Sequence, residues 1–169
     1  MKLIAAFLIA ICFSSAGQFV SKQLELRIAK LEKIYVLFSD IKSRIEFTAD
    51  CAGDIFSSLN QMHSYELLPF VGDCEGRLCN GESFDSAWKN SLLIRQNVTG
   101  LKKEDISVLV SFGSSFGTTD TAGQLSNCEI HKKLVEAKLN SARADFNLYS
   151  KPARGIGLLA GFATIILTL

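Results

Sequence analysis

The chain has 169 residues, with 18 basic against 17 acidic side chains and a net charge of +1. That is the length of one ordinary domain, and the balanced charge excludes both a strongly basic nucleic-acid face and an acidic solvating tail. Hydrophobic residues make up 48% and mean hydropathy is +0.23, high enough that part of the apolar content is expected to face lipid.

The stretch 3–20 carries no charge and just reaches the length of a membrane span. A cleaved signal peptide is the rival, since Met1 and Lys2 precede an apolar core that ends in Ser14, Ser15 and Ala16. A lipoprotein signal is excluded because Ile11, not a small residue, precedes Cys12. Lys22, Arg27, Lys30 and Lys33 follow the apolar run, which favours an uncleaved anchor with Met1 outside and the body in the cytoplasm.

From Ser21 to Phe47 the spacing of Leu24, Ile28, Leu31, Tyr35, Phe38 and Ile45 predicts an amphipathic helix, with Lys42 interrupting its seam. Thr48 or Asp50 then caps a short helix built on Ile55, Phe56 and Leu59. A third segment runs from about Tyr65 to Cys79, with Pro69 in its first turn or starting it, and Asn80 and Gly81 ending it. Ser83 caps a helix carrying Phe84, Ala87, Trp88, Leu92 and Leu93, and Trp88 reads as its core anchor. After a break at 97–100, residues 103–116 have a β-branched centre but no second strand to pair with, so they are assigned to a helix. A turn at 117–120 leads to a long helix from Ala122 to Ser150, with Cys128, Val135, Leu139, Ala142, Phe146 and Tyr149 along its seam.

The last stretch, 155–169, is again uncharged, with Lys151 and Arg154 on its inner side. At ~1.5 Å per residue it is short for a hydrocarbon core of ~30 Å, a gap that snorkelling of Arg154 or local thinning closes. Ala153, Gly157 and Gly161 recur every four residues, a spacing suited to close helix packing in a membrane, here against Ala6 and Ala10. The reading is an all-α chain, an antiparallel helical bundle flanked by N- and C-terminal transmembrane helices. The segments are 1–20 (span), 21–152 (cytoplasmic bundle) and 153–169 (span), with an out–in–out topology.

No residue is assigned to catalysis, a cofactor or a metal. The five cysteines include no C-x-x-C pair, and they read as reduced, partly buried thiols, with a Cys74–Cys79 disulfide or metal pair as the alternative. Gly113-Ser-Ser-Phe-Gly117 fits the G-x-S-x-G elbow of hydrolases, with Asp120 and His131 following in hydrolase order. That elbow needs a strand before Ser115 and a sheet around it, which the chain does not supply. The glycines are read instead as ending a helix and forming the turn. There is no P-loop. His131, beside Lys132 and Lys133, is placed on a solvated helix face. Asp40, Glu46, Asp50 and Asp54 form either a solvated helix end or a docking surface for a basic partner.

In order and spacing, these landmarks resemble the stage III sporulation protein AB family of endospore-forming bacteria. The carriers are the apolar start with Gly17, the stretch 38–56, Phe84-Asp-Ser-Ala-Trp88, Phe112 to Asp120 followed by Gln124, and Asn147-Leu-Tyr149 with Gly155. In the stretch 38–56, Ile45, Phe47, Asp54 and Phe56 fit the family pattern. Arg44 replaces an acid there, and Asp50-Cys51 replaces Thr-Pro. The resemblance implies a non-enzymatic structural component of the channel complex between mother cell and forespore, required for endospore formation and placed in the mother-cell membrane around the forespore. It also implies a bundle similar to the cytoplasmic domains of type II secretion and type IV pilus platform proteins. The partners implied are the membrane, a secretion-type ATPase (stage III sporulation protein AA) and other channel components, in an oligomer. Docking is assigned to Arg44, Glu46, Asp50, Asp54, Asp120 and Gln124, at the bundle end formed by 44–60 and 113–124. The alternative is an extracytoplasmic helical binding module with a cleaved signal peptide, and the third reading is a hydrolase using Ser115.

Overall fold

The computed structural model describes the backbone of 2–48, 51–62, 64–94 and 98–168, and side chains at 15, 18–48, 51–62, 64–94 and 98–149. The described residues form six helices and no strand: α1 (Lys2–Phe47), α2 (Ala52–Gln61), α3 (Pro69–Cys79), α4 (Phe84–Leu93), α5 (Lys103–Ser115) and α6 (Thr121–Thr168). The all-helical bundle expected from the pattern is present, including a helix over the β-branched 103–115. Among the described residues, no helix is long and apolar enough to cross a membrane. The side chains of 3–14 and 150–169, which carry the two expected spans and the Ala153, Gly157 and Gly161 stripe, lie outside the described residues.

The chain divides into two compact units, 1–28 with 140–169, and 29–139. In the first, Arg27 is buried and its guanidinium sits 3.1 Å from the Asp145 carboxylate. One of the four basic residues read as a topology signal is therefore neutralised within the fold.

The second unit holds the core. Here α1 and α6 run antiparallel: the Lys132 ammonium lies 4.9 Å from the centre of the Tyr35 ring, Phe38 meets His131, and Lys42 pairs with Glu129 at 2.9 Å. The buried stripe of α1 is Leu31, Ile34, Leu37, Phe38, Ile41 and Ile45. It lies rotated from the expected seam, because Ile28 and Tyr35 are only half-buried. The α6 stripe in this unit is Gln124, Cys128, His131, Val135 and Leu139. His131 is thus buried, not solvated. Its position three residues after Cys128 and four before Val135 outweighs the two flanking lysines. Toward the C-terminal end the expected seam departs as well, with Tyr149 55% exposed.

The short helices close around Trp88, which is fully buried. Its ring meets Phe56, Phe70, Phe84 and Phe112 with centroids 5.4–5.7 Å apart, mostly tilted or edge-on, as ring quadrupoles favour. The indole N–H donates to the Leu109 carbonyl at 2.6 Å. Gly113 makes this contact possible. It lies inside α5, and a Cβ there would sit 2.2 Å from Trp88 Cδ1. It does not end the helix, contrary to the reading of the segment's glycines as a helix end and turn. Gly117, at φ 79°, takes the left-handed turn.

Helix ends also depart in detail. Pro69 occupies the first turn of α3, as expected. The N-cap of α2 is Cys51, not Thr48 or Asp50. Its thiol donates to Asp54 Oδ2 at 2.9 Å, so Asp54 in the first turn holds the cap residue. Asp105 is buried and accepts the Lys102 backbone N–H at 2.9 Å, tying down the start of α5.

Candidate docking site

The end of α1, the start of α2 and the α5–α6 turn meet around a recess of about 230 Å³. Ile45, Cys51 and Ala52 line it from one side, and Phe116, Gly117, Thr119, Thr121 and Gln124 from the other. The turn is shaped locally. Gly117 supplies the positive φ, and Asp120 Oδ1 accepts the Gly123 N–H at 2.9 Å, capping the first turn of α6. Thr118 Oγ1 donates to the Ser115 carbonyl at 2.9 Å.

Of the residues assigned to docking, Glu46, Asp54 and Asp120 are exposed, and Arg44 is half-buried with Nη2 3.6 Å from Met62 Sδ. Asp50 lies outside the described residues. Gln124 is 8% exposed and lines the recess. Its Nε2 donates to the Thr119 carbonyl at 3.2 Å, while Oε1 is buried without a hydrogen-bond partner among the described residues. Three residues on, Asn127 Nδ2 is buried and unpartnered in the same way, although Asn127 Oδ1 accepts from Ser115 at 2.8 Å. Asp40, grouped with the acidic end in sequence, serves the fold instead, because its Oδ2 accepts the Tyr65 hydroxyl at 2.6 Å. Burial first, and that bond second, push the Tyr65 phenol above its ordinary range.

Phe47 is 80% exposed and Met62 53% exposed, so apolar groups stand among the acids of this end. Exposed apolar residues rimmed by polar ones are a common mark of an interaction surface. Sequence pattern alone misses the recess, because its two walls are 64 or more residues apart in the chain.

The hydrolase constellation is not assembled. Ser115 Oγ points at Asn127 Oδ1 and the carbonyls of Ser111 and Phe112, and His131 Nε2 meets Ser111 Oγ at 3.0 Å. His131 Nδ1 lies 2.9 Å from the Asn127 carbonyl. That contact calls for a proton on Nδ1, and the Ser111 hydroxyl, which faces Nε2, also donates to the Val108 carbonyl at 3.0 Å. Phe38 and Phe112 meet the imidazole in T-shaped contacts.

The four thiols at 51, 74, 79 and 128 are all free. Cys74 and Cys128 are buried, and desolvation pushes each up to about 12, whereas Cys51 and Cys79 are exposed.

With this geometry in place, the sequence comparisons decide the family. The profile of the stage III sporulation protein AB family matches residues 2–169. The chain belongs to that family. No curated protein and no solved structure matches it. The family ties the chain to sporulation, and the fold gives it a helical bundle to do that work with.

Proposed function

We propose that this chain is a membrane-anchored, non-enzymatic platform of the channel complex between mother cell and forespore, and that its bundle end at 44–60 and 113–124 docks the complex's secretion-type ATPase, stage III sporulation protein AA. The observation that carries the reading is the family match along residues 2–169. Two features support it. The uncharged stretches 3–20 and 155–169 supply apolar segments of the kind an anchor needs. Between them in sequence lies a packed bundle whose exposed end mixes Phe47 and Met62 with Glu46, Asp54 and Asp120.

The test is thiol accessibility of the full chain in intact vegetative cells made to express it, with a membrane-impermeant reagent. Cys79 is the reporter, because it is exposed, whereas Cys74 is buried and its thiolate is suppressed. Cys12 and Cys51 are replaced by serine to leave one fast site. The expected result is protection until the membrane is permeabilised. Labelling of Cys79 in intact cells places the bundle outside and overturns the platform. Retained sporulation with Ser115→Ala is the matching expectation for a role without catalysis.

A further inference from the structure

We propose that the outward face of α6 at Ile130, Leu134 and Ala137 seats an amphipathic helix of another protein, one that carries glutamate or aspartate beside its own apolar seam. The proposal goes beyond the platform reading and uses a different surface from the bundle end.

In the second unit α6 is apolar on two sides. Cys128, His131, Val135 and Leu139 on one side are taken up by the core. Ile130, Leu134 and Ala137 recur four and three residues apart on another, and all are exposed, Ile130 at 54% and Leu134 at 43%. Residues at that spacing stand one above the other on a helix surface. In sequence the spacing runs on through Ser141, Ala144 and Leu148, which are exposed within the first unit. Alternating steps of three and four make the seam of a coiled coil, where apolar knobs of one helix enter holes on the next. The small Ala137 beside Leu134 leaves room for a larger side chain opposite.

Charge chooses the occupant. On the helix surface Lys133 neighbours Ile130 and Ala137, and Lys138 neighbours Leu134, so a lysine borders the stripe on each side. Neither lysine forms an ion pair among the described residues. The other charges nearby on α6 lie away from the stripe. Glu129 pairs with Lys42, Lys132 lies over the Tyr35 ring, and Glu136 neighbours Lys133 but none of the three apolar residues. Lys133 and Lys138 thus hold the two positions that flank a coiled-coil seam and face a partner's flanks. Against the same stripe of a second copy, parallel or antiparallel, lysine meets lysine, which disfavours self-pairing. A helix with acids at its flanking positions meets a lysine on both sides instead.

The probe is a synthetic helix of several heptads with leucine along its seam and glutamate at the flanking positions, which keep it from pairing with itself. A matched peptide has lysine at those positions. Each is titrated into full-length protein in phosphatidylcholine nanodiscs, and the melting temperature of every variant is recorded. The acidic peptide is expected to bind wild type, and the lysine peptide is not. Leu134→Gln is expected to lose about tenfold or more in affinity for the acidic peptide. Lys133→Glu combined with Lys138→Glu is expected to lose as much and to take up the lysine peptide instead. Both variants are expected to melt with wild type. Binding of both peptides or of neither to wild type, no exchange of preference in the double variant, or a melting loss that parallels the binding loss each overturns the proposal. Displacement of the acidic peptide by phosphatidylglycerol vesicles assigns the stripe to a lipid surface, and self-association abolished by Leu134→Gln assigns it to a second copy; either overturns it too.

A second arm asks whether cells use the face. At wild-type protein level, Lys133→Glu with Lys138→Glu is expected to lower the count of heat-resistant spores by about tenfold or more, following a tenfold loss of docking. Lys133→Arg with Lys138→Arg is expected to keep it. An undiminished count in the glutamate variant, or an equal fall in the arginine variant, overturns the proposal.

Discussion

The Trp88 cluster and the Gln124 recess lie in the same compact unit and are built to opposite ends. Around Trp88, rings close on the indole from several sides and its one polar hydrogen is bonded to Leu109. Around Gln124, an amide oxygen and, one turn on, an amide N–H of Asn127 are buried without partners among the described residues. The first arrangement converts burial into stability. The second buries polar groups without partners, at a cost in stability. Substitutions at the two places are therefore expected to differ in sign.

The largest effect is expected from Trp88→Ala. Truncating a buried tryptophan costs ~3–5 kcal/mol, which thermal or urea unfolding reads directly. Survival of the native fold with a loss below about 1 kcal/mol would mean that the cluster is not the keystone of the core. Gly113→Ala comes next. Alanine gains up to about 1 kcal/mol of helix propensity, but its methyl would press on Trp88 Cδ1, where overpacking typically costs ~1–3 kcal/mol. The net is a loss, and in a double-mutant cycle Trp88→Phe should relieve part of it. An additive cycle would break the assigned contact.

At the recess, Gln124→Leu removes the bond to Thr119, worth ~0.5–1.5 kcal/mol, together with an orphaned oxygen whose burial costs ~1–3 kcal/mol. Stability is therefore expected to hold or rise slightly, the reverse of the Trp88 result. A marked drop would erase the contrast between the two regions.

The smallest effect belongs to the half-exposed Lys42–Glu129 pair. The hydrogen bond and charge of Lys42 hold the Glu129 carboxyl below its ordinary value of 4.5. The stability this supplies is present above pH 4.5 and is lost as the pH falls below it through the lowered value. The same pair raises Lys42 above its ordinary value of 10.5, so its share persists below that pH and fades as the pH climbs past it. The melting curves of wild type and Glu129→Gln should therefore differ slightly near neutrality, converge in acid, and converge as well in high salt.

Much of the fold is legible in the sequence because hydrophobic period and punctuation are local signals. Pro69 starts α3, Ser83 precedes α4, and the lack of a pairing strand correctly makes 103–115 helical. Trp88 is recognisable as an anchor from its size alone. What cannot be read depends on partners distant in sequence. Gly113 looks like a helix terminator until the indole that covers it is in place, and Gly117 shows where the chain actually turns. His131 is misplaced for another reason. Its lysine neighbours suggest a solvated face, whereas its register with Cys128 and Val135, equally present in the sequence, points to the core. At the candidate site, Asp120 and Gln124 stand out in the sequence, but the convergence of Gln124 with Ile45 and Cys51 requires the α1–α2 corner to fold back onto the turn.

The thiols carry a consequence of their own. Cys79 and Cys51 meet reagent directly, whereas Cys74 and Cys128 must wait for the protein to open and are poorly ionised even near neutral pH. A single alkylation time course therefore runs two clocks. The fast phase reports on which side of a barrier the surface lies, and the slow phase counts how often the interior breathes. Binding at the α1–α2 corner should lengthen the Cys51 part of the fast clock, and any tightening of the core on assembly should be audible only in the slow one.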